Sequence, residues 1–160
     1  MPESVRILYD KLYPSSIKVD SAHTSYHNGG GTGGSLTYDE EGLLYDAGTK
    51  WADGYESFDG TAWGEGSYHY SDPLPKGLKS ISVDFKIHIS CPGSASTSVW
   101  VTNSSGETIA SGSSYVDLSA YANSKENLYL HVGGSSRCSE NVGQGAIGTF
   151  CKVNSISFSY

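Results

Sequence analysis

Apolar residues occupy every second position of residues 79–90, KSISVDFKIHIS. They are Ile81, Val83, Phe85, Ile87 and Ile89, and the residues between them are polar. This period of two is typical of a β-strand that turns one face to the core and the other to water. The segment is therefore predicted to be a strand and not a helix.

Neighbouring segments are predicted to form hairpins. In STSVWVTNSSGETIASG, Val99 and Val101 face the core, residues 103–106 form a turn, and residues 108–110 return as the second strand. Upstream, SLTYDEEGLLYDAG is predicted as strand, turn and strand, with the turn at residues 39–42. Both segments indicate antiparallel pairing.

The chain ends on AIGTFCKVNSISFSY, which is long enough for a terminal strand paired within a sheet. Phe150, Ile156, Phe158 and Tyr160 share one parity there. With this strand, about eight to ten strands follow Ser35, and no segment remains for crossover helices. We therefore expect an all-β fold whose largely antiparallel strands close as a two-layer sandwich.

The phrase DLSAY, residues 117–121, is predicted to be a corner between the two sheets. Leu118 and Tyr121 are expected to fill the end of the sandwich. Asp117 and Ser119 have short polar side chains that can accept hydrogen bonds from loop backbone N–H groups. The corner is expected to have an architectural role.

The first 34 residues are predicted to stand apart from the sandwich. PESVRILYDKLYPSS fits either a short helix or an extended arm, because its apolar residues have mixed spacing and Pro14 ends the pattern. The glycine cluster within residues 29–34 suits neither a helix nor a central strand, so we expect a flexible joint. The predicted organisation is an anchoring arm and joint, 1–34, and one sandwich domain, 35–160.

Charge excludes several classes of partner. The chain has 160 residues, a formal net charge of −7 and ten scattered lysines and arginines. No basic stripe is available to neutralise phosphates or anionic lipid, so neither nucleic acid nor a membrane is expected as a partner. The N-terminal segment lacks the continuous apolar stretch of an export signal, and we expect synthesis in the cytoplasm.

Three cysteines leave the redox state open. Cys138 and Cys151 could close a short loop by a disulfide, which would contribute about 3 kcal/mol. The alternative is that these two residues and Cys91 are reduced, half-buried thiols, as in a cytoplasmic protein.

The segment YVDLSAYANSKENLYLHVGG and the closing KVNSISFSY resemble the last third of galactose-binding-like jelly-roll modules. In such modules a corner of the D-L-S-x-Y type precedes a strand, and a final strand returns beside it. The resemblance covers roughly Lys79 to Tyr160. It implies an antiparallel jelly roll, as in carbohydrate-binding modules and in capsid-surface, fibre and tail proteins of bacteriophages. Such a fold does not by itself define a function.

Candidate catalytic and metal-binding residues have ordinary structural explanations. No G-x-S-x-G motif accompanies the serines, and the carboxylates that a glycosidase would need lie mostly in turns. These carboxylates are Asp39, Glu40, Glu41, Asp53, Glu56, Asp59 and Glu65. His23 and His27 have the spacing of helical zinc ligands, but the glycines that follow disfavour a helix. We expect no catalysis and no cofactor, with Ca²⁺ at the acidic loops as the better metal candidate.

Six aromatic residues between positions 51 and 70 are the candidate ligand or interface residues. They are Trp51, Tyr55, Phe58, Trp63, Tyr68 and Tyr70. Exposed aromatic rings stack on sugar rings and also anchor protein interfaces, whereas buried rings fill a core. All three roles remain open for this cluster.

Two functions from different classes fit these observations. The first is a non-catalytic structural protein of a bacteriophage virion, a capsid decoration or a tail or fibre component. It would be attached through Val5, Ile7, Leu8 and Leu12, with other virion proteins, further copies of itself and host glycans as partners. The alternative is a free extracellular carbohydrate-binding module that recognises a cell-surface polysaccharide.

Overall fold

The computed structural model describes residues 1–17, 24–28, 34–39, 42–47, 62–89, 93–138 and 150–160. The helical elements there are α1 (Glu3–Leu12) and the 3-10 helix η1 (Ser119–Tyr121). The strands are β1 (Ser16–Ile17), β2 (Thr24–Asn28), β3 (Gly34–Asp39), β4 (Gly42–Ala47), β5 (Ala62–Tyr70), β6 (Ser80–His88), β7 (Gly93–Thr102), β8 (Thr108–Gly112), β9 (Tyr115–Asp117), β10 (Tyr129–Cys138) and β11 (Phe150–Ser159). No helix in these ranges has both the length and the apolar character that a membrane crossing requires.

Two facing sheets form the centre of the fold. Sheet I contains strands in the order β4-β11-β6-β9, and sheet II contains β5-β10-β7-β8. All these pairings are antiparallel. Among these eight strands, consecutive ones alternate between the sheets except in the β7-β8 hairpin, which is the arrangement of a jelly roll. The predicted all-β, two-sheet sandwich is confirmed.

Three further strands widen the sheets. β3 pairs with β4 as the predicted hairpin, and β1 pairs with β11 beyond the end of β4. β2 pairs with β5 at the edge of sheet II. Residues 16–17 and 24–28 therefore contribute strands to both sheets, although they precede the predicted domain boundary. That boundary stays a prediction, and residues 29–33 of the glycine cluster lie outside the described residues.

The core lies between the inward faces of the two sheets. Its buried residues are Leu74, Leu78, Ile81, Val83, Val99, Val101, Val116, Leu118, Leu130, Val132, Val153, Ile156 and Phe158. In sheet II, Leu130 is the cross-strand partner of Val101, and Val132 that of Val99. These pairs alternate with outward-facing positions, as the period of two requires.

The alternation in β6 predicts the strand correctly but not the extent of the core. Ile81 and Val83 are 0% and 3% exposed, and Phe85 packs partly against the core. Ile87 and Ile89, in contrast, are 46% and 52% exposed. The strand continues past the packed interior, so Ile87 near its end and Ile89 just after it gain little from burial.

A β-bulge changes the parity of the terminal strand. Val153 and Ile156 are both buried, although they are three residues apart. The register of β11 against β6 shifts between Val153 and Ser155, which gives β11 one extra residue. The positions that face inward are therefore odd-numbered before Asn154 and even-numbered after it. The side-chain amide of Asn154 donates a hydrogen bond to Asp84 Oδ2 at 3.4 Å. A single parity from Phe150 to Tyr160 does not describe this strand.

The predicted corner at DLSAY is confirmed. It connects β9 of sheet I to β10 of sheet II. Leu118 is 1% exposed in the core, and Tyr121 is half-buried beside it. Asp117 Oδ1 accepts hydrogen bonds from the backbone N–H of Ser119 at 2.9 Å and from its hydroxyl at 2.6 Å. These bonds lower the pKa of Asp117.

The predicted turn between β7 and β8 is also present. Asn103 Oδ1 accepts hydrogen bonds from the backbone N–H groups of Ser105 at 3.0 Å and Glu107 at 2.9 Å. Gly106 has a φ of +82°, in the left-handed region that favours glycine. Local side-chain bonding and one glycine thus fix the hairpin.

The N-terminal segment is a helix rather than an extended arm. All residues of α1 are exposed. The residues after it join it to the domain: the ring of Tyr13 lies edge-on to that of Tyr160 at 5.3 Å, and the Tyr160 hydroxyl donates to the Pro14 carbonyl at 2.9 Å.

Candidate functional site

Three ring side chains form a row across the outward face of sheet II. His131 of β10 is the cross-strand partner of His69 of β5 on one side and of Trp100 of β7 on the other. Their chain neighbours, including Leu130 and Val99, face the core. The three rings therefore stand on the opposite face of the sheet, and each is half-buried. We call them the ring row.

The rings of the row are in mutual contact. Trp100 and His131 are stacked, with centroids 5.2 Å apart and an interplanar angle of 14°. His69 is edge-on to both, at 4.9 Å from His131 and 6.1 Å from Trp100. On the side of β7 away from β10, the cross-strand partner of Trp100 is Ser111 of β8. Of the described strands, β8 is the last on that side of sheet II.

A chain of side-chain hydrogen bonds fixes the two imidazoles. Thr102 Oγ1 lies 2.7 Å from His131 Nε2, and the Nδ1 atoms of His131 and His69 lie 2.6 Å apart. His69 Nε2 lies 3.1 Å from Ser67 Oγ. Thr102 is only 8% exposed, so its hydroxyl needs this partner. The chain holds both rings in one orientation.

His131 is neutral at pH 7. Burial, and secondarily the proximity of His69, lower the pKa of His131 to about 4. The stack therefore joins an indole to an uncharged imidazole.

Hydroxyl groups continue the outward face next to the ring row. Ser94, Ser96 and Ser98 are exposed on alternate positions of β7. The hydroxyls of Ser96 and Ser135 lie 2.7 Å apart. Gly133, which lies between His131 and Ser135 at the outward positions of β10, pairs with Ser98 and contributes no side chain. This part of the face thus presents hydroxyls beside an aromatic ring.

The predicted aromatic cluster is only partly described. Trp51, Tyr55 and Phe58 lie outside the described residues. Trp63 and Tyr68 belong to β5, and only the backbone of these two residues is described. Tyr70 ends the same strand and packs partly against the core. The ligand or interface role of the cluster stays a prediction.

The four apolar residues predicted to attach the arm lie on α1. Val5, Ile7, Leu8 and Leu12 are between 49% and 60% exposed. Val5, Leu8 and Leu12, together with Tyr9 at 51% exposure, have the i, i+3, i+4, i+7 spacing of one helix face. The attachment role also stays a prediction.

The other candidates for metal binding or redox chemistry are resolved in part. His27 belongs to β2 and Asp39 ends β3, whereas His23, Glu40, Glu41 and the acidic residues at 53–59 lie outside the described residues. Cys138 ends β10 of sheet II and Cys151 belongs to β11 of sheet I, and a disulfide between them stays untested. Where the chain is described, no three His, Cys, Asp or Glu side chains converge as metal ligands.

Sequence reasoning missed the ring row. Its signal is a large aromatic or imidazole side chain at an outward position of a strand whose inward positions are aliphatic, as in the segments VWV and LHV. His69 and His131 are 62 residues apart along the chain and meet only through the cross-strand register.

Comparison with known proteins gives structural matches only. No protein-family model and no curated protein matches the sequence. One similar solved structure is TmCBM61 in complex with β-1,4-galactotriose, at 10% identity and a TM-score of 0.36, covering 84% of this chain and 87% of that one. Another is accessory secretory protein 1, 2 and 3 of Streptococcus pneumoniae, at 8% identity and a TM-score of 0.36, covering 91% and 96%. At this level of similarity neither match transfers a ligand to this chain.

Proposed function

We propose that the protein is a non-catalytic carbohydrate-binding module that binds a neutral glycan against Trp100. The observation that carries the proposal is the orientation of the indole. The ring is half-buried on the outward face of sheet II, one of its faces is stacked on His131, and its cross-strand partner in β8 is the small residue Ser111. A sugar ring stacks on such a face through its apolar C–H surface.

The surroundings of Trp100 suit a hydroxyl-rich ligand. Serine hydroxyls at positions 98 and 111 flank the indole along β7 and across to β8. A hydroxyl both donates and accepts hydrogen bonds, and so do the hydroxyls of a sugar. A few polar groups beside an aromatic surface are the usual composition of a small-ligand site.

The ligand is expected to be uncharged. His131 is neutral at pH 7, and the described outward side chains beside Trp100 are hydroxyls or rings. A sulfated or uronic-acid polymer would need a cation to pair with its anionic groups. The chain as a whole is acidic, with a net charge of −7, and would repel such a polymer.

Glycan retention by three variants tests the proposal. Wild type, Trp100→Ala and Trp100→Phe would be run on affinity gels that contain a panel of neutral polysaccharides. Tyr115→Ala is the matched control, since Tyr115 is an aromatic residue, 54% exposed, on β9 of sheet I. We expect retardation of wild type to be lost in Trp100→Ala, partly kept in Trp100→Phe and unchanged in Tyr115→Ala. Equal retardation of wild type and Trp100→Ala, or none with any polysaccharide, would reject the proposal.

A second candidate function is attachment to a bacteriophage particle through α1. The observation in its favour is the exposed apolar face formed by Val5, Leu8, Tyr9 and Leu12. Anchors at i, i+3, i+4 and i+7 are those with which an amphipathic helix binds an apolar groove on another protein. The jelly roll would then be displayed on a capsid or tail, where it could present the Trp100 face to host glycans.

Co-sedimentation with particles tests the attachment. Leu8→Glu places a charge on the apolar face, and Asp10→Ala is the control on the polar face of the same helix. Wild type and Asp10→Ala are expected to sediment with the particles, and Leu8→Glu to remain in the supernatant. Sedimentation of Leu8→Glu at the wild-type level would overturn this role for α1.

A further inference from the structure

We propose that His69 and His131 bind one divalent transition-metal ion, of which Zn²⁺ is the probe of choice, through their Nδ1 atoms. The site is a second one beside the proposed glycan surface, because its ligands are the two imidazoles and not the indole of Trp100. Imidazole nitrogens suit zinc, copper and nickel, whereas calcium prefers oxygen ligands.

The first support is that the Nδ1 atoms of His69 and His131 point toward each other. The Nδ1 atoms lie 2.6 Å apart, across adjacent strands of sheet II. Two unprotonated nitrogens at this distance would repel each other, so in the metal-free pair one Nδ1 carries a hydrogen and donates it to the other. A bound cation takes the place of that hydrogen.

The second support is that both outer nitrogens already have hydroxyl partners. His131 Nε2 lies 2.7 Å from Thr102 Oγ1, and His69 Nε2 lies 3.1 Å from Ser67 Oγ. A metal-bound histidine usually donates its second ring N–H to such a partner, which fixes the ring. When the ion binds at both Nδ1 atoms, each Nε2 carries the hydrogen and donates it to the hydroxyl oxygen. For two neutral rings this is a tautomeric shift without net proton release.

Binding requires a small adjustment of the pair. With bonds of about 2.0–2.1 Å to zinc, two ligand nitrogens stand about 3.3 Å apart, so the rings must separate by roughly 0.7 Å. Both rings are half-buried on the outward face and not enclosed in the core.

The two histidines leave other coordination positions to solvent. In the described ranges, no third His, Cys, Asp or Glu side chain joins them. An ion held by two protein ligands has fewer protein ligands than the four of a structural zinc site or the three of a catalytic one. We therefore expect micromolar rather than structural affinity.

Calorimetric titration of Zn²⁺ into EDTA-treated protein at pH 7 tests the site. His69→Ala and His131→Ala each remove one ligand, and His88→Ala, at the end of β6 in sheet I, is the matched control. Wild type and His88→Ala are expected to bind one ion with the same affinity, and the two site variants at least tenfold more weakly. Thr102→Val removes a hydroxyl partner and is expected to weaken binding by about tenfold.

Fluorescence locates the ion independently of the histidine variants. Cu²⁺ at the pair lies next to Trp100, whose ring centroid is 5.2 Å from that of His131. It should quench part of the tryptophan emission of wild type, and Trp100→Phe should lose this component while retaining Zn²⁺ binding. Zn²⁺ heat that persists unchanged in both His69→Ala and His131→Ala would assign the ion to other groups and overturn the proposal. Absence of binding to wild type would overturn it as well.

Discussion

The imidazole of His131 lies parallel to the indole of Trp100, at a centroid distance of 5.2 Å and an angle of 14°. This contact joins the proposed glycan surface to the histidine pair. It also covers one side of His131, which contributes to the burial that keeps the ring uncharged.

Acid is expected to destabilise the fold through His131. Its pKa is lowered from 6.5 to about 4 in the folded state, so between these values the unfolded chain binds more protons than the native one. Stability is then fully present above about pH 6.5 and falls as the pH approaches 4. After allowance for solvent screening we expect a loss of about 1–2 kcal/mol. Urea unfolding at pH 7.5 and pH 4.5 measures it, and His131→Asn should lack this part of the loss, whereas His88→Asn should keep it.

Truncation of β6 is expected to have opposite outcomes at its two ends. Ile81→Ala removes a side chain that is 0% exposed and should lower the free energy of unfolding by about 2–5 kcal/mol. Ile87→Ala makes the same change where the side chain is 46% exposed and should cost less than about 1 kcal/mol. Chemical denaturation of both variants provides the comparison. Similar losses would show that the core extends along the whole strand.

The β7-β8 turn is expected to need glycine at position 106. With φ at +82°, Gly106→Ala should cost about 1–2 kcal/mol, although no atom lies within 4 Å of the added methyl group. Gly106→Asn should cost less, because asparagine tolerates this conformation better. Thermal unfolding with Ser105→Ala as control separates the backbone effect from side-chain loss. An unchanged melting temperature for Gly106→Ala would contradict the turn geometry.

Charging the apolar face of α1 is expected to leave the domain intact. Leu8→Lys alters a residue that is 56% exposed on a helix without buried residues, so the free energy of unfolding should change by less than about 0.5 kcal/mol. Leu118→Ala, in the buried corner, should cost about 2–5 kcal/mol by comparison. A large loss in Leu8→Lys would mean that the helix packs on the sandwich and is not available for attachment.

The sequence patterns predict individual strands and turns better than they predict which residues of those strands are buried. Strict alternation predicted β6, and the corner at residues 117–121 was predicted from local turn chemistry. The bulge at Asn154 was not predicted. Apolar and polar residues alternate on each side of the extra residue, so the sequence does not show that the inward parity changes there. Ile87 and Ile89 continue the alternation beyond the core, since periodicity carries no information on where the opposite sheet ends.

The candidate site depends on register, which a single sequence does not contain. Trp100, His131 and His69 lie on three strands that are distant along the chain and adjacent in sheet II. The aromatic residues at 51–58 were more conspicuous because they are close in sequence. The cluster at 51–58 is visible in the sequence because its residues are close along the chain. The residues of the ring row are close only because their strands pair in sheet II.

Nuclear magnetic resonance titration of the ¹⁵N-labelled protein with the best-retained neutral oligosaccharide tests the central claim most directly. We predict saturable shifts of the Trp100 indole N–H and of the backbone amides of Ser111 and Ser98, with those of Tyr115 in sheet I unchanged. Saturable shifts confined to other residues, with the Trp100 indole signal unmoved, would contradict the proposal that this indole face binds the glycan.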